Sequence, residues 1–557
     1  MHLPSLRSDS ILAALAGVVV LVAAARIAST YQVFSGTFDE PSHVAAGMEW
    51  LDRGQFSYEP MNPPLARVAA ALGPYAVGIR SFGSPNRWRE GSRILYAEGA
   101  YRRNLALARL GALPFFLAAA VLVWVWTRRC CGAPSAAAAV LLLAALPPML
   151  AHGGLATTDM AAAATLTAAL YAFTRWLDTR TLGHALGLGL AAGLAILAKL
   201  SALAFLPAAG GTILAVRWWA TRAGDPTAPA AEEPDGPPSD AGPLRAGRYA
   251  AVSTPRGVAL AAAAAWLVVW AGYRFSFHAV DGGPPLPAAE LWRGIAHLVQ
   301  KAGIGHETYL LGEISTRGWW WFFPVTLAVK TPLPFVALTA IGGLGCLRRL
   351  RRDGDWRAIA PLAAAVAVAV VALPPGLNIG LRHVLPVYPL AAVVAGYGVT
   401  LLWQAAEARA AQRALAVALV LWQVVGTWRA HPDYLPWFNE LAGSRPERVL
   451  VNADLDWGQD LLRLADTVEA RGIDSLALAY YGSANPARHF PHVRPMAPFE
   501  RPTGWFAVSV AVIKGLHVPD WTGFEWLEAV EPAAYIGKSI RLYHLTEEES
   551  PEAPDGG

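Results

Sequence analysis

The chain runs to 557 residues, of which 55% are apolar and only 15% charged, and its mean hydropathy is +0.35. So much apolar sequence excludes an ordinary water-soluble enzyme and places the chain among polytopic membrane proteins. The formal net charge of +4 is small for the length, so basic residues matter by position, and nucleic-acid binding has no support.

Runs long enough to cross a bilayer fall near residues 11–29, 105–127, 135–151, 160–177, 184–200, 201–219, 256–273, 319–346, 358–375, 384–404 and 412–429. The expected fold is mainly α, a polytopic membrane protein of about 11 transmembrane helices. Residues 11–25 also carry the pattern of a signal-peptide core ending in small residues. Arg128 and Arg129, Arg175 and Arg180, Arg217 and Arg222, the run from Arg348, and Arg409 with Arg413 fall on alternate loops. By the positive-inside rule these loops are cytoplasmic, with the N-terminus and Arg7, and the loops 30–104, 274–318 and 376–383 and the C-terminal tail are outside. Arg67, Arg80, Arg87, Arg89, Arg93, Arg102 and Arg103 run against that pattern in a loop whose length largely exempts it. Cys130, Cys131 and Cys346 map to cytoplasmic helix ends, so disulfides are not expected to hold the exterior segments.

The exterior loop 30–104 is too long for a passive connector, and it opens with TFDEPSHVAAGMEWLDRGQFSYEPMNPPLARVAA. Asp39 and Glu40 stand just outside the first span, where carboxylates can act as a base or ligand. Residues 41–51 alternate helically and predict a short helix along the bilayer, with Trp50, Phe56 and Tyr58 at headgroup depth. Asp39 then falls near its N-cap, a common structural job for Asp, whereas Glu40 has no such role. His43 follows Asp39 by one turn and shares its face, so the three side chains form a cluster able to hold a divalent cation. Asn62-Pro63-Pro64-Leu65 reads as a rigid turn before another helix.

Asp159, in LATTDMAAAA, opens an Ala/Leu helix at the outer surface, either as an N-cap in competition with Thr157 and Thr158 or as a second carboxylate facing the same site. Lys199 ends the fifth span. Residues 223–247 are rich in Pro, Ala, Gly and acid and read as a flexible cytoplasmic linker. His306 and Glu307, in GIGHETYLLGEIS, lie on the second large exterior loop, where a histidine is more often exposed than a ligand. Lys330 sits within an apolar segment broken by Pro324, Pro332 and Pro334, and a buried ammonium there needs an anionic partner such as a lipid phosphate. Arg382 and His383, beside an apolar helix start, are either headgroup anchors or phosphate contacts. From His431 the hydropathy falls. The runs ERVLVNA, SLALAYY, GWFAVSVAV and SIRLYHL read as strands and QDLLRLADTVEARG as a helix, so a transmembrane domain over 1–430 is followed by a small soluble exterior α/β domain over 431–557.

Several of these stretches together resemble a known family. FDEPSHVAAGMEWL, NPPLARVAAALG, LALARLGALPFFLAAAVLVWVWTRRCCG, LATTDMAAAATLTAALYAF, LAKLSALAFLP, YLLGEISTRGWWWFFPVTLAVKTPLPF and GLRHVLPVYPLAAVVAG are similar to the C-type (GT-C) membrane glycosyltransferases that use polyprenyl-phosphate sugars. Within these they resemble the protein O-mannosyltransferase and aminoarabinose-transferase-like superfamily of bacteria. The resemblance spans residues 10–405, and DWGQDLLRLAD resembles the tail of some bacterial members. It implies a catalytic carboxylate at Asp39 with Glu40 as its companion, and a second acidic position at Asp159. Beside these, His43, Asn62, His306, Lys330, Arg382 and His383 form the candidate substrate-binding set, with Lys330, Arg382 and His383 on the phosphate side. The family often has His-Pro-Pro-Leu where this chain has Asn62-Pro63-Pro64-Leu65, so no imidazole acts there. Some relatives hold a metal near the lipid phosphate, and Glu40, His43, His306 or Glu307 are the residues here that would contribute, without matching a defined ligand set.

The implied activity is inverting transfer of a sugar from a polyprenyl-phosphate donor to a hydroxyl of a protein, lipid or glycan, on the outer face of a bacterial cytoplasmic membrane. Such a donor already carries its leaving group, so the protein needs a base for the hydroxyl proton and positive charge for the departing phosphate. On this reading the catalytic set lies upstream of residue 431. A lipid-linked-sugar transporter or flippase is the first alternative, but that class usually places ionisable groups at mid-span or on repeat-related broken helices. A non-enzymatic envelope assembly protein is the second. The residues name neither the sugar nor the acceptor.

Overall fold

Within hydrocarbon each backbone N–H and C=O must be satisfied inside its own segment, so long Ala/Leu/Val runs become helices. In the computed structural model, which describes residues 3–223, 253–280, 282–376, 378–404, 410–518 and 522–546, each of the apolar runs is helical over most of its length. In chain order the helices are α1 (Leu3–Ser29), α2 (Glu40–Arg53), α3 (Pro64–Ala76), α4 (Arg87–Leu95), α5 (Tyr101–Leu110), α6 (Leu113–Cys131), α7 (Ala133–Ala144), α8 (Pro147–Gly153) and α9 (Asp159–Thr179). There follow α10 (Leu182–Ala198), α11 (Ala202–Ala223), α12 (Thr254–Gly272), α13 (Ala289–Ile304), α14 (Phe322–Lys330), α15 (Leu333–Asp353), α16 (Trp356–Val371), α17 (Val387–Gln404) and α18 (Ala410–Arg429). The linker read at 223–247 lies outside the described residues, apart from the last residue of α11.

Among the described residues seven helices are long and apolar enough to cross a membrane, or eight if α7 and α8, bent by 66° at their junction, form one span. The sequence count is higher because it includes α10 and α16, which are apolar but only 17 and 16 residues long, and α9, which carries Asp159 and several threonines. The run 319–346 divides into α14 and α15 at Thr331, whose extended backbone (φ −100°, ψ 129°) is what the following Pro332 imposes.

The residues assigned to cytoplasmic loops meet at one end of the bundle. Asp9 pairs with Arg128 at 3.0 Å, and Asp178 takes both Arg129 at 2.6 Å and Arg357 at 2.8 Å. Elsewhere the segment from 30 to 100 folds onto the helices. α2 departs from the expected surface helix: residues Glu40 to Glu49 are all buried, because α3 and α4 close over it. A Cβ on Gly47 would stand 1.9 Å from the Arg67 carbonyl oxygen, and one on Gly91 1.9 Å from that of Pro41. Glycine is what lets these three helices touch backbone to backbone, so α2 is walled in by protein instead of lying on lipid.

Beyond α18 the chain forms further short helices, α19 (Asn452–Leu455) and α20 (Leu461–Ala470) among them. Two small hairpins in 274–318 pair β1 (Phe277–Ala279) with β2 (Pro285–Pro287) and β3 (Thr308–Leu310) with β4 (Glu313–Ser315). The C-terminal strands β5 (Leu476–Ala479), β6 (Val493–Pro495), β7 (Gly504–Ser509), β8 (Ala534–Ile536) and β9 (Ile540–Leu545) make one mixed sheet in the order β6-β5-β7-β9-β8. The expected strand ERVLVNA is not one. It forms a 3-10 turn at Pro446–Arg448 and then α19, because Leu450 and Val451 are buried against neighbouring segments, and a short apolar run carries no period that tells strand from buried turn.

A Gly91→Ala change pushes α4 off α2 and costs about 1–3 kcal/mol, as overpacking does, while Gly187→Ala, inside α10 with nothing within 4 Å of its new methyl, raises stability by about 0.5–1 kcal/mol through helix propensity. Thermal unfolding of the two variants in detergent, against the parent protein, checks this.

Candidate active site

Adjacent residues at a helix start point about 100° apart, and Asp39 and Glu40 accordingly have different surroundings. Glu40 is wholly buried. Its carboxylate receives Arg109 through Nε and Nη2, each at 2.9 Å, and the backbone N–H groups of Ala156 at 2.9 Å and Thr37 at 2.7 Å. Every strong acceptor position is used, so Glu40 is a structural anchor and does not reach substrate. This corrects its assignment as a catalytic and metal-binding residue.

Asp39 makes no side-chain cap to α2, contrary to the N-cap reading. Its side chain is 24% exposed and turns instead to Arg382, with Nη1 to Oδ2 at 2.6 Å. Burial pushes its proton affinity up, but Arg382 and, behind it, His43 outweigh that and hold the carboxyl below the usual range. Asp39 is therefore an anion at neutral pH.

The Asp39 and Arg382 side chains line a cavity of about 570 Å³. His43, Asn62, His306 and His383 from the expected set line it as well. Loop and helix ends bring them together. His43 follows Asp39 by one turn of α2, its Nδ1 receives Arg67 Nε at 3.4 Å, and burial together with the Arg67 charge pushes its pKa down to about 4. Arg67 is itself buried and ties the Asn-Pro-Pro turn to α2, donating to Glu59 Oε2 at 2.5 Å and to the Asn62 carbonyl at 2.7 Å. Asn62 Nδ2 donates to the same Glu59 oxygen at 2.7 Å. His383 is held well below its ordinary pKa by burial and by the nearby Lys199 and Arg382 charges, and its Nε2 has no hydrogen-bond partner among the described residues. His306 is lowered by burial in the same way.

Asp159 begins α9 but lies beneath the cavity floor, fully buried, with Lys199 Nζ at 2.6 Å from Oδ1 and the Thr157 hydroxyl at 3.0 Å from Oδ2. It caps nothing, and the group it presents to the cavity is the Lys199 ammonium. Lys330 is elsewhere. Its Nζ donates to the carbonyls of Leu435 and Asp454, each at 2.7 Å, above the Phe438 ring, so backbone oxygens take the place of the phosphate expected there. Glu307 pairs with His517 at 3.2 Å. Among the described residues no group of three or more His, Cys, Asp or Glu side chains is placed to hold a metal ion. Glu40, His43, His306 and Glu307 do not converge.

The sequence reading missed the wall supplied by the C-terminal region. Trp457, Tyr480, Tyr481 and His517 line the cavity, and the Arg382 guanidinium lies 4.5 Å above the Trp457 ring. Phe38 stacks on Tyr481, and Tyr481 stacks on His517. Backbone pairing clamps the segment in place: Phe38 N–H donates to the Trp457 carbonyl and Ser35 N–H to that of Gln459, both at 2.9 Å. The DWGQD stretch was the signal available, since its short acidic and aromatic pattern has no place in a plain strand or helix. The C-terminal region therefore supplies part of the cavity wall, while Asp39 and Arg382 lie upstream of residue 431.

Over residues 103–225 the chain matches the family model described as Dolichyl-phosphate-mannose-protein mannosyltransferase. No curated protein sequence matches the chain. Among solved structures, it is similar to ArnT from Cupriavidus metallidurans bound to undecaprenyl phosphate, with 14% identity over 98% of this chain and 99% of that one and a TM-score of 0.49. It is also similar to the Archaeoglobus fulgidus oligosaccharyltransferase tethered to an acceptor peptide, with 13% identity over 86% of this chain and 63% of that one and a TM-score of 0.46. The match across residues 103–225 supports the resemblance to polyprenyl-phosphate-sugar-using glycosyltransferases that the sequence motifs carry.

Proposed function

We propose that the protein is an inverting glycosyltransferase that moves a sugar from a polyprenyl-phosphate donor to an acceptor hydroxyl, at the outer face of a bacterial cytoplasmic membrane. The observation that carries this reading is the cavity that gathers an ionised, partly exposed Asp39 with Arg382, Lys199 and the neutral His383. A base and a phosphate site stand on facing segments.

In the proposed step the acceptor oxygen forms its bond to the anomeric carbon while its proton passes to the Asp39 carboxylate. The bond from that carbon to the phosphate oxygen breaks, and the electron pair leaves with polyprenyl phosphate. Attack opposite the leaving group inverts the anomeric centre. The phosphate charge grows as the bond breaks, and Arg382 and Lys199 supply fixed positive charge where it appears, with a hydrogen bond available from His383. Asp159 is a positioning residue that holds the Lys199 ammonium at the cavity.

Purified protein incubated with labelled polyprenyl-phosphate sugars releases polyprenyl phosphate, and Asp39→Asn lowers kcat by about a hundredfold or more while insertion and unfolding temperature are retained. Full activity in that variant removes the assignment. Glu40→Gln behaves in the opposite way: it leaves Arg109 buried without its full anionic partner and costs about 3–5 kcal/mol of stability, read as loss of folded protein in detergent.

The pH dependence has a defined sign. Asp39 is held below the ordinary carboxylate range, so the base stays ionised as pH falls, and kcat/KM for the donor is flat from about pH 7 to about pH 5. A fall by half near pH 6 points to a different base.

A further inference from the structure

The contact between Asp39 and Arg382 opposes the proposed roles of both. A carboxylate held by a guanidinium is a weak proton acceptor, and a guanidinium held by a carboxylate is already engaged when a phosphate arrives. The geometry of the contact is nevertheless easy to exchange. It joins one nitrogen to one oxygen, Nη1 to Oδ2 at 2.6 Å, where the guanidinium is able to form a two-point fork. The Arg382 Nε is buried with no hydrogen-bond partner among the described residues. The guanidinium carbon lies over the Trp457 ring, 4.5 Å from its centroid, a contact that involves no directional bond. The backbone beneath is fixed, since Leu381 N–H donates to Asp454 Oδ1 at 3.0 Å. Motion is therefore confined to the side chain.

We propose that Arg382 is a switch between two anions: it holds Asp39 in the resting site and passes its contact to the donor phosphate, which frees Asp39 to take the acceptor proton. This rests on the transfer reading above and adds an order to it, donor before base. The charges balance along the step. At the start Asp39 is an anion and the donor phosphodiester carries one negative charge. At the end Asp39 is protonated and the released polyprenyl phosphate carries up to two, so the attraction of Arg382 for the phosphate grows as its attraction for Asp39 disappears. The other groups that act on Asp39 are His43 from α2, Asp159 from the start of α9 and Tyr481 from the C-terminal region. None of these is a cation at neutral pH: His43 is neutral there and Asp159 is already paired with Lys199.

The test is a double-mutant cycle on the affinity for polyprenyl phosphate without a sugar. If Asp39 competes with phosphate for Arg382, Asp39→Asn tightens binding by about tenfold in the parent background, and the gain disappears when Arg382→Gln is also present. A gain of equal size in both backgrounds is a long-range charge effect and overturns the switch, as does no gain at all. Arg382→Met, which removes the charge but keeps an apolar stem against the Trp457 ring, serves in place of Arg382→Gln if that variant does not fold. A second readout uses the parent protein. The acid limb of kcat, which reports the complex, lies about one to three pH units above that of kcat/KM, which reports the free enzyme; coincident limbs also overturn it. Loss of transfer in Asp39→Asn with an additive cycle leaves the transfer reading standing and removes only the switch, whereas retained transfer in Asp39→Asn removes the reading itself.

Discussion

The buried ion pair of Glu40 with Arg109 is the constraint on which the rest of the site depends. Two opposite charges removed from water are stable only when their remaining donors and acceptors are also satisfied. Here they are: Glu40 takes the Ala156 and Thr37 N–H groups, and Arg109 donates to the carbonyls of Phe34 at 2.9 Å and Ser35 at 2.8 Å. Four stretches of chain meet at this one pair: the loop after α1, the start of α2, the end of α5 and the loop before α9. Its geometry therefore sets where Asp39, one residue before Glu40, stands relative to Asp159, three residues after Ala156.

The same loop is held from its other side by the C-terminal region. Ser35 donates its hydroxyl to the Gly458 carbonyl at 2.9 Å and accepts the Leu461 N–H at 3.1 Å, and the Ser483 hydroxyl donates to the Thr37 carbonyl at 3.1 Å. A ten-residue loop gripped on both faces has little freedom. The region beyond α18 thus acts as a wall of the cavity, and the division between a membrane part and an appended domain runs through the site instead of beside it.

The membrane helices were legible because the bilayer imposes one rule on every span, and long apolar runs have few other fates. That Asp39, His43, Asn62, His306, Arg382 and His383 share one cavity was legible because charged and polar side chains at span ends have few packing uses. Glu40 and Lys330 were misread for a common reason. Each is an ionisable residue whose partners, Arg109 and the carbonyls of Leu435 and Asp454, lie 69 to 124 residues away in sequence, and a sequence shows the charge but not the groups that neutralise it. The enclosed position of α2 was hidden likewise, since nothing local tells a glycine at a helix crossing from one facing lipid. Trp457 and Tyr481 were missed because their use depends on a tertiary clamp.

Three carboxylates around the cavity each have a cation: Glu59 with Arg67, Asp159 with Lys199, and the partly exposed Asp39 with Arg382. Of the cations that line the cavity, Arg382 and Lys199 are already paired, whereas Arg87 and Lys301 form no ion pair among the described residues; among the paired ones, the pair that opens is the one whose separation costs least. Separating charges is most costly where water cannot reach either member. Arg67 and Glu59 are 0% and 4% exposed, and Asp159 is at 0% beneath Lys199 at 13%. Asp39 and Arg382, at 24% and 12%, are both within reach of solvent. The carboxylate released there remains hydrated, while release of Glu59 or Asp159 would strand an anion in the interior. By that ordering the Asp39 pair is the one expected to yield to phosphate, and the residue it frees is the proposed proton acceptor.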